Sequence, residues 1–205
     1  METVSITLSS LGILILLAGC TFSIVRKKRY NFLWYFLCIL LIECLSHVVA
    51  DNLFLISISY YIHFIFLCNY INVPLLKWKA STSNIFIAIM AIPMIATLVS
   101  TYFFKSYIAL DRVIYNFTLI ILAINVLVGY FNGTINMASS VITMMLSIIA
   151  FFSIDFILAL SFNYLIKENL DLVGYFWLFR LTFLLIYYGT TVYVTTTTKL
   201  SQKTT

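Results

Sequence analysis

Long apolar stretches alternate with short polar connections along the whole chain. A helix needs about 20 apolar residues to cross the hydrocarbon core of a bilayer, and seven stretches come close to that length or exceed it. They are Val4–Val25, Phe32–Ala50, Leu53–Leu76, Ile85–Phe104, Val113–Tyr130, Met137–Ile166 and Leu172–Thr195. The pattern predicts an all-α integral membrane protein, a seven-transmembrane-helix bundle that forms a single membrane domain over residues 1–195.

The distribution of basic residues predicts the orientation of this bundle, because cytoplasmic connections are enriched in Lys and Arg. With the N-terminus outside, eight basic residues face the cytoplasm: Arg26, Lys27, Lys28, Arg29, Lys77, Lys79, Lys199 and Lys203. Three face outward: Lys105, Arg112 and Lys167. We therefore expect the N-terminus outside, the C-terminus inside, and residues 196–205 as a short polar cytoplasmic tail of a multi-pass plasma (inner) membrane protein.

Composition agrees with this class and excludes others. The chain is 63% hydrophobic and 9% charged, whereas a soluble domain carries roughly 25% charged residues. It cannot cover a soluble surface, so the lipid bilayer is its first partner. The isoelectric point near 9.0 does not indicate nucleic-acid binding, since the basic residues lie between the apolar runs and are explained by membrane topology.

Four ionisable residues interrupt the apolar stretches, and they are the best indication of function: Glu43, His63, Asp155 and Arg180. At about 1.5 Å of rise per helical residue, each lies roughly 10–15 Å below the predicted outer end of its span. Ionisable groups in hydrocarbon are costly, and they are usually paired or functional. Neighbouring spans form hairpins, which predicts that Asp155 pairs with Arg180 and that Glu43 pairs with His63.

Two further polar residues, His47 and Asp51, follow Glu43 at helical spacing and predict a polar stripe from the outer surface down to this layer. The layer has three interpretations: clamps between helices, an outward-open ligand pocket or conduction path, and a catalytic site. Glu43, His47, His63 and Asp155 are residue types that bind zinc. His47, however, lies too near the surface to join the others without distortion, so we expect no metal and no cofactor.

The chain offers no output domain of its own. No segment outside the apolar stretches is long enough for one, and no phosphate-binding or nucleophile motif occurs. A signal would have to pass through a separate cytoplasmic or membrane protein, and a homo-oligomer is compatible with the small size. The basic residues of Arg26–Arg29, Lys77 and Lys79 predict a cytoplasmic docking surface, although positive-inside topology and contact with anionic lipid explain them equally well.

A resemblance supports this interpretation over about a fifth of the chain. Between Asn31 and Leu76, an aromatic-rich span with Glu43 is followed by the turn Asp51-Asn52 and by a span that opens with Tyr60-Tyr61. This pattern resembles small bacterial multi-span membrane proteins and the membrane input domains of some sensor kinases. Those domains usually carry an acidic residue shortly after the tyrosines, where this chain has His63. The resemblance implies an input or accessory role without catalysis.

The sequence therefore predicts a non-catalytic membrane sensor or accessory subunit that signals through another protein. A second hypothesis is a small ion channel or pore, oligomeric or not, such as a membrane-disrupting effector of bacterial defence or toxicity. A third is an intramembrane metal-dependent hydrolase with Glu43, His63 and Asp155 as its reactive groups.

Overall fold

The structure is a computed structural model, and it describes residues 2–25, 30–46, 48–49, 53–103, 109–168 and 170–197. Within these ranges the regular structure is entirely helical. The helices are α1 (Glu2–Val25), α2 (Tyr30–Ser46), α3 (Leu53–Ile71), α4 (Ala80–Ile89), α5 (Ala91–Phe103), α6 (Leu110–Phe131), α7 (Ser139–Glu168) and α8 (Leu170–Thr197).

Six of the predicted spans are long and apolar enough to cross a membrane. In the structure they are Val4–Val25, Phe54–Ile71, Ala80–Phe103, Leu110–Phe131, Ser139–Ser161 and Leu172–Thr197. The second predicted span corresponds to α2, which has 17 residues. At about 1.5 Å per residue it reaches roughly 26 Å, a little less than the ~30 Å of hydrocarbon. The chain is a multi-pass membrane protein, while its seventh crossing and its orientation remain predictions.

The fourth predicted span is interrupted at Met90, which separates α4 from α5. The cause is Pro93, because its ring clashes with the carbonyl of Ile89 and it has no N–H to donate there. Two tyrosines bind carbonyl groups around the break: Tyr115 Oη donates to Met90 O at 2.6 Å, and Tyr61 Oη donates to Ile87 O at 3.0 Å. The break is therefore stabilised from α3 and α6.

Six helices form a ring in the order α1, α2, α3, α6, α7, α8, and the ring closes where α1 contacts α8. The pair α4 and α5 lies outside this ring and packs against α3 and α6. Only 6% of its membrane-spanning window is buried, so its remaining surface suits contact with lipid. Successive spans run in opposite directions, with α4 and α5 together counted as one span. We call the end at which α1, α3, α6 and α8 begin the upper end; it corresponds to the predicted outer side.

Aromatic rings fill the ring of helices at mid-depth. The largest fully buried side chains include Phe36, Phe64, Phe151, Phe152 and Tyr187. Lipid tails are as apolar as this core, so the aromatic side chains stabilise the fold by close packing rather than by the hydrophobic effect. Small residues permit that packing. A Cβ added at Gly19 on α1 would lie 2.9 Å from the ring of Phe36 on α2, so glycine lets these two helices approach.

Candidate functional site

The upper half of the helix bundle contains a fully buried carboxylate, that of Asp155 on α7. Its Oδ1 accepts hydrogen bonds from Arg180 Nε at 2.5 Å and from Arg112 Nη2 at 3.0 Å. Its Oδ2 accepts one from Asn116 Nδ2 at 2.7 Å. Arg180 Nη2 also donates to the hydroxyl of Tyr60 at 2.6 Å. We call these five residues the Asp155 cluster; they join α3, α6, α7 and α8.

The helices place this cluster by simple periodicity. Arg112 and Asn116 lie four residues apart on α6, so both project from one face towards α7. Aromatic faces cover the guanidinium groups, with Arg112 Cζ 5.0 Å from the ring centre of Tyr60 and Arg180 Cζ 4.8 Å from that of Trp177. Arg112 and Arg180 are 5% and 9% exposed. Ion pairing and cation–π contact together offset the cost of burying these charges.

A cavity of about 280 Å³ opens at the upper end, directly beside the Asp155 cluster. We call it the upper cavity. Its charged and titratable lining residues come from four helices: Glu43, Tyr60, His63, Arg112, Arg180 and Tyr188. The serines Ser5, Ser9, Ser46 and Ser59 also line it, and the first two add α1 as a fifth helix. Phe151 lies at its floor and stacks on Tyr187 with ring centres 5.5 Å apart. The walls of the cavity therefore combine polar groups with apolar side chains such as Leu55, Leu181 and Leu184, and aromatic rings close it below.

A second group of polar side chains lies along the α2 side of the cavity. Tyr188 Oη donates to Glu43 Oε1 at 3.0 Å. The Tyr35 hydroxyl lies 2.8 Å from His63 Nδ1 and 2.9 Å from the Tyr187 hydroxyl. The ring of Tyr188 stacks against that of His63, with centres 6.0 Å apart. We call these five residues the tyrosine cluster; it links α2, α3 and α8 through neutral hydroxyl groups and one carboxylate.

The four residues predicted as one polar layer lie in one region of the structure. Glu43, His63 and Arg180 line the upper cavity, and Asp155 lies behind Arg180. The expected pairing of Asp155 with Arg180 is present. The expected partner of Glu43 was His63, but the structure gives each of them a hydrogen bond to a tyrosine instead.

The sequence interpretation of Arg112 was wrong. Arg112 was counted among the residues of the outer connection, yet it lies inside α6, is 5% exposed and forms an ion pair with Asp155. Helix α6 begins at Leu110, earlier than the predicted span at Val113, because this buried pair lets the helix continue through a charged turn. Asn116 lies in the same predicted span, and its side-chain amide donates a hydrogen bond to Asp155.

Several predicted residues lie outside the described residues. These are His47 and Asp51 of the polar stripe and Arg26, Lys27, Lys28 and Arg29 of the basic surface. Lys77 and Lys79 are described, and both are exposed between α3 and α4 at the lower end. Lys77 has a φ of 56°, a left-handed conformation uncommon outside glycine. The chain reverses there, and Trp78 N–H donates to Asn72 O at 2.8 Å.

A larger cavity of about 1110 Å³ lies at the opposite end, between α2, α3 and the connection from α6 to α7. We call it the lower cavity. Its lining is mainly apolar and aromatic, with Trp34, Phe66 and Tyr70 beside the amides Asn31 and Asn69. Tyr35 lines the lower cavity and His63 lines the upper one. The hydrogen bond between them therefore lies in the partition that separates the two spaces.

The chemistry available at the site is that of binding by charge and hydroxyl groups. Among the described residues, no group of three or more His, Cys, Asp or Glu side chains lies close enough to hold a metal ion. The arginines are held by Asp155, and the carboxylate of Glu43 is only partly buried. Comparison with known proteins adds nothing to this description: no family model, no curated protein and no solved structure matches the chain.

Proposed function

We propose that this multi-pass membrane protein is a non-catalytic sensor or accessory subunit whose upper cavity, open to the outside, binds a small polar ligand. The observation that carries the proposal is the upper cavity itself, about 280 Å³ in volume with Glu43, His63, Arg112 and Arg180 in its walls. Small-molecule sites are concave, with a few convergent polar groups and volumes of roughly 300–1,000 Å³. This cavity is near the lower limit of that range.

Ligand binding in the cavity can change the packing of several helices, because the cavity walls belong to several helices at once. Glu43 is on α2, His63 on α3 and Arg180 on α8, and both polar clusters continue from these residues into the packed core. A ligand that favours one arrangement of these helices shifts the equilibrium by its difference in affinity between the arrangements. A cytoplasmic or membrane partner, for which Lys77 and Lys79 offer exposed basic contacts, would sense the change at the lower end.

The closed floor of the upper cavity supports a binding site over an open pore through one chain. Phe151 and Phe152 have ring centres 4.9 Å apart, and Phe151 stacks on Tyr187. These three side chains are at most 1% exposed. A pore would require this packing to open. The hydrolase hypothesis gains no support, since Glu43 is hydrogen bonded to Tyr188 on one side of the cavity and Asp155 is enclosed by donors on the other.

The test uses Trp177, which lines the cavity, as a fluorescent reporter. The chain has three tryptophans, so Trp34→Phe with Trp78→Phe leaves Trp177 alone. Purified protein in lipid nanodiscs is titrated with small carboxylates, amines and amino acids at constant ionic strength. We expect a saturable change in Trp177 emission with at least one class. A matched protein that keeps only Trp34, beside the lower cavity, should respond only to the probes that change Trp177 emission and with the same midpoint. No response from folded protein to any class would overturn the proposal.

Ion flux in liposomes separates the sensor from the pore. We expect wild-type protein to conduct no more than empty liposomes. If the protein conducts ions and the flux changes in Glu43→Gln, the channel hypothesis would replace the sensor hypothesis.

A further inference from the structure

The walls of the upper cavity carry opposite charges on opposite sides. Arg112 and Arg180 line it from α6 and α8, and Glu43 lines it from α2. The carboxylate that holds both guanidinium groups, Asp155, is fully buried and does not line the cavity. Asp111, the residue before Arg112, is also fully buried and is absent from the lining. The α6 and α8 side therefore presents positive charge to a ligand, although carboxylates balance it from behind.

Arg180 retains hydrogen-bonding capacity towards a ligand. Its Nε is used by Asp155 and one N–H of its Nη2 by Tyr60, while its Nη1 has no hydrogen-bond partner among the described residues. The guanidinium group is fixed in place, since Trp177 lies over it at 4.8 Å. A fixed guanidinium with a remaining fork of donors is the group that proteins commonly use to bind a carboxylate or another oxyanion.

Glu43 supplies the complementary charge. Its carboxylate is partly buried, and the hydrogen bond from Tyr188 to Oε1 fixes its orientation. A carboxylate can accept several hydrogen bonds at once, so Glu43 can bind an ammonium group on the cavity side while it keeps the hydrogen bond from Tyr188. Four serines, Ser5, Ser9, Ser46 and Ser59, also lie in the lining of the cavity, and Ser46 Oγ donates to the backbone carbonyl of Glu43 at 2.8 Å.

We propose that the upper cavity binds a small zwitterion, with its carboxylate towards Arg180 and Arg112 and its ammonium group towards Glu43. This inference rests on the proposed function and specifies the ligand class of the same cavity. A lone anion would meet the carboxylate of Glu43 across the cavity, and a lone cation would meet the guanidinium groups. A zwitterion of suitable length satisfies both sides and brings no net charge into the membrane, where net charge is costly.

The test compares three molecules of similar length and different charge, with the Trp177 reporter in nanodiscs. They are 4-aminobutyrate, butyrate and butylamine, which carry both charges, the negative charge alone and the positive charge alone. Glycine, β-alanine and 5-aminovalerate then vary the distance between the charges. We expect one ω-amino acid of this series to bind at least about tenfold more tightly than the singly charged analogue of the same length, consistent with charge-assisted hydrogen bonds at both ends.

Two variants keep the inference separate from the proposed function. Glu43→Gln keeps an acceptor for Tyr188 but removes the charge, so it should weaken zwitterion binding about tenfold or more and strengthen butyrate binding, because the carboxylate that opposes a lone anion is gone. Ser59→Leu fills the cavity and should abolish every response. Butyrate or butylamine binding as tightly as the zwitterions would overturn the inference and leave the cavity a ligand site. No response to any probe would overturn both.

Discussion

The two polar clusters beside the upper cavity lie at similar depth but are built differently. In the Asp155 cluster, one carboxylate accepts hydrogen bonds from two guanidinium groups and an amide, and all of these side chains are almost fully enclosed. In the tyrosine cluster, three hydroxyls connect an imidazole to the core and a carboxylate to α8, and Glu43 remains in contact with the cavity. The first joins helices by ion pairs, and the second by hydrogen bonds of tyrosine hydroxyl groups.

This difference separates stability from responsiveness. A charged group in a low-dielectric interior has no good substitute for its ion-pair partner, because a lone buried charge costs several kcal/mol. A hydroxyl that loses one partner at the edge of a polar cavity can bind water or a ligand instead. We therefore expect the Asp155 cluster to hold α6, α7 and α8 together in all states, and the tyrosine cluster to be the element that rearranges when the cavity is occupied.

Asp155→Asn should have the largest effect. The substitution leaves Arg112 and Arg180 buried without the carboxylate that binds both, and breaking a buried pair costs about 3–5 kcal/mol. The free energy of unfolding, measured by SDS titration in mixed micelles, should fall by this amount. A decrease near the ~0.6 kcal/mol typical of a single interhelical hydrogen bond would show that the two clusters do not differ as described.

A second substitution tests the charge balance directly. Adding Arg112→Gln to Asp155→Asn removes one of the two stranded positive charges, so the double variant should be more stable than Asp155→Asn alone. The two changes should be non-additive by about 1–3 kcal/mol, as expected for residues in contact. A charge reversal of Asp155 and Arg180 together should restore stability only in part, because Arg112 would then face an arginine at position 155. Strict additivity would mean that Arg112 does not depend on Asp155.

Tyr35→Phe should have an intermediate effect. It removes the hydrogen bonds to His63 and Tyr187 and leaves two buried polar atoms without this partner, at a cost of about 1–2 kcal/mol. Tyr175 offers a matched control, since it is 62% exposed and its change to Phe should leave the unfolding curve unaltered. Equal stability of Tyr35→Phe and Tyr175→Phe would remove the structural role assigned to the tyrosine cluster.

Tyr188→Phe should be the mildest change to stability. It removes the donor to Glu43, but that carboxylate faces the cavity, where water can replace the lost bond. We expect the free energy of unfolding to fall by about 0.6 kcal/mol. Zwitterion binding, measured by Trp177 fluorescence, should also weaken because Glu43 is no longer held in its orientation. A cost comparable to that of Asp155→Asn would place Glu43 in the same sealed environment as Asp155.

The sequence predicted most of the helical architecture and part of the site. The length of the apolar stretches located six spans. The high cost of placing ionisable groups in hydrocarbon identified Glu43, His63, Asp155 and Arg180 as candidates. Arg112 was missed because a basic residue near the end of a span has the same sequence signature whether it faces water or the interior. Its signal was the i, i+4 pair with Asn116 on a face that continues with Leu119 and Ala123, all buried.

The partners in the tyrosine cluster could not have been predicted from local pattern. Tyr188 is 145 residues from Glu43 and Tyr187 is 152 residues from Tyr35, and fourteen tyrosines in the chain were available for such bonds. For residues of α2 and α3, the expectation that consecutive spans pack as a hairpin favoured contacts between these two helices only. The choice of α8 depends on how the ring of helices closes, which is set by packing among all six and leaves no periodic trace in the sequence.

Closure of the ring between α1 and α8 has a consequence for how the protein is made. Helix α1 is synthesised before α8 but packs against it, so during translation α1 lacks this neighbour until α8 is inserted. Until then Asp155 lacks Arg180 and Glu43 lacks Tyr188. Nascent chains that stop before α8 would thus display unsatisfied polar groups within lipid, a mark by which membrane quality-control proteases can distinguish unfinished molecules from complete ones.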